Sequence, residues 1–166
     1  MILIVAGVSG SGKTTVGESL ARRLAWVFID GDSLHPARNI AKMKSGIPLT
    51  EQDRAPWLHA VADRLDAQLG LGRPAIVACS ALKRSYRDLL LHGRPAARIA
   101  FLQIDHGVAA ARLANRHGHF FDPELLDSQF ADLELPDPAE DRVMTVPVTG
   151  TPNDIADKII IQLACS

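Results

Sequence analysis

The chain has 166 residues, 47% of them hydrophobic and 22% charged, with a formal net charge of −1. That length suits one domain able to bury roughly two-thirds of its unfolded surface. The near-neutral charge excludes whole-molecule attraction to nucleic acid or an anionic membrane, and the two cysteines, Cys79 and Cys165, form no disulfide framework or metal-ligand spacing.

Ile2 to Ala6 is an apolar, β-branched run that predicts a buried parallel strand. It leads straight into Gly7-Val8-Ser9-Gly10-Ser11-Gly12-Lys13-Thr14, which reads G-x-x-x-x-G-K-T. Val16, Leu20 and Leu24 then recur at four-residue steps, one face of a helix. A strand, a glycine-rich loop and a helix in that order make a phosphate-binding P-loop. Its backbone N–H groups curl round an anion, and the helix N-terminus adds partial positive charge. Lys13 is expected to reach the β- and γ-phosphates, Thr14 to ligate Mg²⁺, and Thr15 to lie against the bound nucleotide. The chain is therefore expected to bind ATP.

Trp26 to Asp30 predicts a second strand ending in an Asp30-Gly31-Asp32 turn, and His35-Pro36 opens a short helix through Lys44. Gly46-Ile47-Pro48 breaks it. Trp57, Leu58, Val61, Leu65 and Leu69 mark one side of a longer helix closed by Gly70 and Gly72. Strands are expected over residues 75–79, 98–104 and 143–148. Helices are expected over 85–91, 108–116 and 123–133, with a last one carrying Ile155, Ile159 and Leu163. No repeat, low-complexity tract or linker divides the chain. Alternating strands and helices imply an α/β fold: a five-stranded parallel sheet with helices on both faces. Ligands sit at the carboxyl ends of such strands, which gathers the P-loop, Asp30 to Asp32, Ser80 to Arg84 and Asp105 along one edge.

Three further groups lie on that edge. A phosphoryl acceptor needs a carboxylate to orient its hydroxyl and take the proton, and the metal shell needs acidic groups. Asp32, further into its loop, suits the first task; Asp30, nearer Thr14, suits the second. His35, Arg38, Lys42, Arg54, Lys83 and Arg84 form a basic group that suits a negatively charged substrate, a carboxylate above all. Arg112 and Arg116 are placed one helical turn apart, either to neutralise the transferring phosphoryl group or to stack on adenine. Behind them Gly118-His119-Phe120-Phe121 is expected to be a loop that closes over the nucleotide. His117 and His119 have no partners at metal-ligand spacing. No signal peptide or bilayer-spanning run is expected, which points to the cytoplasm.

These residues closely resemble the gluconokinases, small P-loop kinases of D-gluconate. The matching stretches are the P-loop itself, Asp30-Gly31-Asp32-Ser33-Leu34-His35-Pro36-Ala37-Arg38-Asn39-Ile40, Lys42-Met43 and Ser45-Gly46-Ile47-Pro48-Leu49. They continue through Asp53-Arg54-Ala55-Pro56-Trp57-Leu58, Cys79-Ser80-Ala81-Leu82-Lys83-Arg84, Tyr86-Arg87-Asp88, Gly118 to Phe121, Gln129-Phe130 and Leu133-Glu134. The P-loop is shared by many enzymes, whereas the D-G-D-x-x-H-P-x-x-N-I and C-S-A-L-K runs are far more specific. One departure is Leu91, where the family often carries arginine. The resemblance implies a three-layer P-loop kinase fold of the nucleoside-monophosphate-kinase type. One domain would span residues 1–166, with a substrate-binding segment about 35–58 and a lid about 116–135. It implies ATP- and Mg²⁺-dependent phosphorylation of the gluconate 6-hydroxyl by a homodimer that binds neither nucleic acid nor membrane. His119 joins Asp32, His35, Arg38, Arg54, Lys83 and Arg84 as substrate-binding residues; Lys13, Asp32 and Arg116 are the catalytic ones. Other small hydroxy-acid kinases, such as shikimate kinases, are the nearest rivals. A guanine-specific switch would need an Asn-Lys-x-Asp motif, which the chain lacks.

Overall fold

The structure, a computed structural model, describes residues 1–116 and 122–165. Five parallel strands, β1 (Ile2–Ala6), β2 (Val27–Asp30), β3 (Ala75–Ala78), β4 (Ala97–Gln103) and β5 (Val143–Pro147), form one sheet in the order β2-β3-β1-β4-β5. Among the described residues seven α-helices connect and follow them: α1 (Lys13–Leu24), α2 (Ala37–Lys44), α3 (Glu51–Gly70), α4 (Arg84–Leu91), α5 (His106–Ala114), α6 (Pro123–Asp132) and α7 (Pro152–Ala164).

β1 is the central strand, buried at every residue. Its side chains alternate between two cores, as a pleated strand requires. Ile2 and Ile4 join Trp57, Val61 and Leu65 of α3 and Leu90 of α4. Leu3 and Val5 join Val16 and Leu20 of α1 and Ile155 and Ile159 of α7. Each fully buried aliphatic side chain of this kind contributes about 1.5–3 kcal/mol relative to exposure. A third, smaller cluster of Val8, Leu82, Ala109, Leu113 and Leu126 lies around the end of β1 and seats α5 and α6 beside the P-loop. Leu91 is 6% exposed in the α3–α4 core.

Element boundaries differ from the sequence reading in three instructive places. Asp30 to Asp32 leads into a 3-10 turn, Gly31–Leu34, capped by the Asp30 side chain accepting from the Asp32 N–H at 3.0 Å. α3 starts six residues before Trp57, because Thr50 and Asp53 form a reciprocal capping box. α5 runs His106–Ala114, so Arg116 lies beyond it and not on its last turn. Asn115 caps the helix, and the Arg116 N–H bonds back to the Leu113 carbonyl. Among the described residues no helix is long and apolar enough to cross a membrane.

Arg87 ties the far side of the site edge together. Its side chain is fully buried and pairs with Glu140, 4% exposed, through two 2.8 Å bonds. Its Nη1 also donates to the carbonyls of Leu82 at 3.1 Å and Glu134 at 2.9 Å. This bracing surrounds Ala81, whose φ of 39° is unfavourable for any residue with a side chain. Replacing one partner of such a pair strands the other charge in the interior, which costs about 3–5 kcal/mol. Arg87→Met is therefore expected to lose that much in urea unfolding, and adding Glu140→Leu to recover part of it. An unchanged unfolding midpoint in Arg87→Met would contradict the bracing role.

Candidate active site

The carboxyl edge of β1 turns into the P-loop through Gly7, at φ 138°. A Cβ there would stand 2.8 Å from the Leu102 carbonyl oxygen and 2.9 Å from Ser11 Oγ, so only glycine makes this turn. The Gly7 N–H bonds to the Ser80 carbonyl, fixing the loop to the end of β3. Gly12 caps α1, with Lys13, Thr14 and Thr15 in its first turn. Ser11 is fully buried, and Thr14 and Thr15 are exposed.

Lys13 arches over the loop and donates from Nζ to the Val8 carbonyl at 3.0 Å. Burial pushes the pKa of its ammonium down; Asp32, Cys79 and Asp30 oppose the shift, while Arg116 adds to it. Asp32 and Lys13 line the same cleft. The Arg116 charge also reaches Lys13, and a Cβ built on Gly12 would lie 3.9 Å from Arg112 Nη1. Arg112, on α5, therefore borders the loop, while Arg116, beyond the helix, reaches Lys13 through its charge. Burial pushes the Cys79 thiol up to about 12, with Asp32 adding to the effect, so it stays protonated and inert.

Gly31 lets the Asp30–Asp32 turn sit against β3. A Cβ there would come within 2.4 Å of the Ala78 carbonyl oxygen. Trp57 Nε1 donates to the Gly31 carbonyl at 2.8 Å, and the Trp57 ring stacks on His35 with centroids 4.3 Å apart. Burial lowers the His35 pKa below its ordinary 6.5, with Asp32 opposing and Arg54 assisting. The imidazole is a neutral group at physiological pH.

One cleft collects Ser9, Lys13, Asp32, His35, Arg54, Trp57, Ser80 and Tyr86 with Gln129 of α6. Arg54 Nη1 donates to Asp132 at 2.6 Å and to the Tyr86 hydroxyl at 3.3 Å. Burial works against the Arg54 cation, and these partners more than compensate. Lys83 pairs with Glu51 and lies 3.6 Å from Asp132, so it adjoins Arg54 through a shared carboxylate without lining the cleft. Arg38 is exposed near the start of α2, and Arg84 is turned to Asp88, four residues on; neither lines the cleft. His119, with the rest of the Gly118 to Phe121 loop, lies outside the described residues.

The structure adds Gln129. Its Oε1 accepts the Ser9 N–H at 2.7 Å, and its Nε2 donates to Ser9 Oγ at 2.9 Å. No local pattern assigns that contact, since the partners are 120 residues apart. Asp53 was legible only as part of a matched stretch. It accepts from Lys42 at 2.7 Å and from the Thr50 N–H at 2.9 Å, locking α2 to the start of α3. Among the described residues no group of three or more His, Cys, Asp or Glu is placed to hold a metal. An ion such as Mg²⁺ takes most of its ligands from phosphate and water and needs no such group.

A P-loop at the central strand of a 2-3-1-4-5 parallel sheet, facing a carboxylate, defines a P-loop phosphotransferase. A family model described as an AAA domain matches residues 2–136. The chain belongs to the gluconokinase family. The thermoresistant gluconokinase of Escherichia coli K12 is 44% identical over 147 residues, covering 89% of this chain and 84% of that protein. The crystal structure of a gluconokinase from Sinorhizobium meliloti 1021 superposes with a TM-score of 0.88 at 44% identity, covering 98% of this chain and 90% of that one. A shikimate kinase from Acinetobacter baumannii, covering 99% of this chain and 93% of its own, reaches a TM-score of 0.60 at 19% identity and shares the fold alone.

Lys42, Thr50 and the adjoining amide hold the Asp53 carboxyl at about 2, against an ordinary 3.8. Because the folded value is the lower one, this carboxylate stabilises the fold above about pH 4 and loses that contribution as pH falls towards 2. The gap in melting temperature between wild type and Asp53→Asn is expected to be widest above about pH 5 and to narrow towards pH 3. A gap that stays constant over this range would contradict the assignment.

Proposed function

We propose that this chain transfers the γ-phosphoryl group of ATP to the 6-hydroxyl of D-gluconate, giving 6-phospho-D-gluconate and ADP. The observation that carries the reading is the shared cleft, in which Lys13, Asp32, His35 and Arg54 line one space. The P-loop from Gly7 to Thr15 holds the triphosphate. Lys13 and Arg116 offset the charge that spreads over the transferring group, and Arg112 lies beside the loop on the nucleotide side. Thr14 and Asp30 would hold Mg²⁺, which would supply positive charge to screen the triphosphate. Asp32 accepts a hydrogen bond from the gluconate 6-hydroxyl, aligns its oxygen on the γ-phosphorus, and takes the proton as the bond to ADP breaks.

Arg54 and Lys83 supply positive charge for the substrate carboxylate, shared with Asp132, and His35 provides a neutral contact. Arg38, Arg84 and His119 belong to the same proposed set, though Arg38 and Arg84 need a movement of α2 and α4 ends to reach the cleft. Residues 35–58 form the substrate wall and about 116–135 a lid within a single domain. The working form is a cytoplasmic homodimer that binds neither nucleic acid nor membrane.

A coupled assay with ATP, Mg²⁺ and a panel of polyols and sugar acids tests the reading. D-gluconate is expected to be the best acceptor. Glucitol, which lacks the carboxylate, should fall by roughly ten- to a hundredfold in kcat/KM, the loss of one charge-assisted contact. Preference for shikimate, or ATP hydrolysis without any phosphorylated acid, would overturn it.

A further inference from the structure

Asn39, on α2, is fully buried and polar, and the phosphoryl-transfer chemistry gives it no task. Its Nδ2 lies 2.8 Å from the Asp53 backbone carbonyl and 3.2 Å from His35 Nδ1. A backbone carbonyl only accepts hydrogen bonds, so the amide must turn its NH₂ towards it. The reverse orientation would press two oxygens together. The amide keeps this orientation although Asn39 Oδ1 has no hydrogen-bond partner among the described residues. One amide hydrogen goes to Asp53, which leaves the other for His35. His35 Nδ1 must then be the unprotonated ring nitrogen, and the ring proton sits on Nε2.

The ring has little freedom to escape this arrangement. It stacks on Trp57 with planes 12° apart, and Trp57 is anchored to the Gly31 carbonyl. Turning the imidazole over would set a carbon against the Asn39 amide. We infer that Asn39 is a positioning residue that fixes His35 as its Nε2–H tautomer, so that the imidazole meets the substrate as a hydrogen-bond donor. It therefore recognises an oxygen lone pair on gluconate, from a hydroxyl or the carboxylate, and offers nothing to a hydroxyl proton. The inference rests on His35 being a substrate contact.

Charge around the ring works with the latch. Burial and Arg54 of α3 disfavour the imidazolium, Asp32 and Asp30 at the end of β2 favour it, and Lys13 stands on the opposite wall. A second proton would have to enter at Nδ1, against an amide N–H. Protonation and the Asn39 contact exclude one another, so the latch opens only below the ordinary histidine pKa.

Long-range proton–nitrogen correlation spectra of the ¹⁵N-labelled protein at pH 7.5 test this directly. His35 is expected to show Nε2 protonated and Nδ1 unprotonated. In Asn39→Leu the two tautomers should mix, with the gluconate KM raised about tenfold, one hydrogen bond's worth, and the ATP KM unchanged. His35→Gln, whose amide nitrogen reaches the Nε2 position, should keep the gluconate KM within a fewfold. His35→Asn, which reaches only as far as Nδ1, should raise it like His35→Ala. If Asn39→Leu does not fold, the wild-type spectra and the Gln–Asn contrast still decide. A protonated Nδ1 in the wild type overturns the role of Asn39, even if His35→Ala raises KM. An unchanged gluconate KM in His35→Ala overturns the substrate contact instead, whatever the tautomer.

Discussion

The site depends on keeping an ammonium charged where water has been largely removed. Lys13 is half-buried at the mouth of the P-loop, and burial works against its charged form, lowering its pKa. Asp32 and Asp30, carried by the end of the edge strand β2, favour the charged form, and Asp32 lines the same cleft as Lys13. Asp32, the carboxylate proposed to align the acceptor hydroxyl, thus also favours the charge on Lys13, and Asp30, proposed for the metal shell, adds to that effect.

Around this pair the walls of the cleft are held by charges that already have partners. Arg54 and Lys83 share Asp132, and Tyr86 and Glu51 complete their ring of contacts. Asp53 joins Lys42 to the capping box of α3, while its backbone carbonyl orients Asn39. Arg87 and Glu140 brace the strained Ala81 turn from behind. A substrate carboxylate would thus enter a preorganised set of donors whose rotamers are fixed in advance, which reduces the ordering cost of binding.

The central strand, P-loop and first helix were legible because their signals are local: a β-branched run, a glycine spacing and a four-residue apolar repeat. The Asp30-Gly31-Asp32 motif was legible by its position after β2, although the 3-10 turn was not. α3 was recognised from its apolar face, but its start depended on the Thr50–Asp53 box, which lies before any apolar repeat. The helix expected to carry Arg116 stops two residues short of it, since Asn115 caps α5. Contacts between distant segments had no sequence signal. Gln129 on Ser9 and Asp132 on Arg54 join residues 120 and 78 positions apart, and only the packing of α6 against the sheet edge brings them together.

Asp32 is proposed to serve the acceptor and not the nucleotide. The most direct measurement is the turnover of Asp32→Asn beside its ATP affinity, measured by equilibrium titration on the same folded protein. ATP affinity is expected within a fewfold of wild type and kcat lower by roughly 10²–10⁴, the range for loss of a general base. Normal turnover, or a defect chiefly in ATP binding, would contradict it.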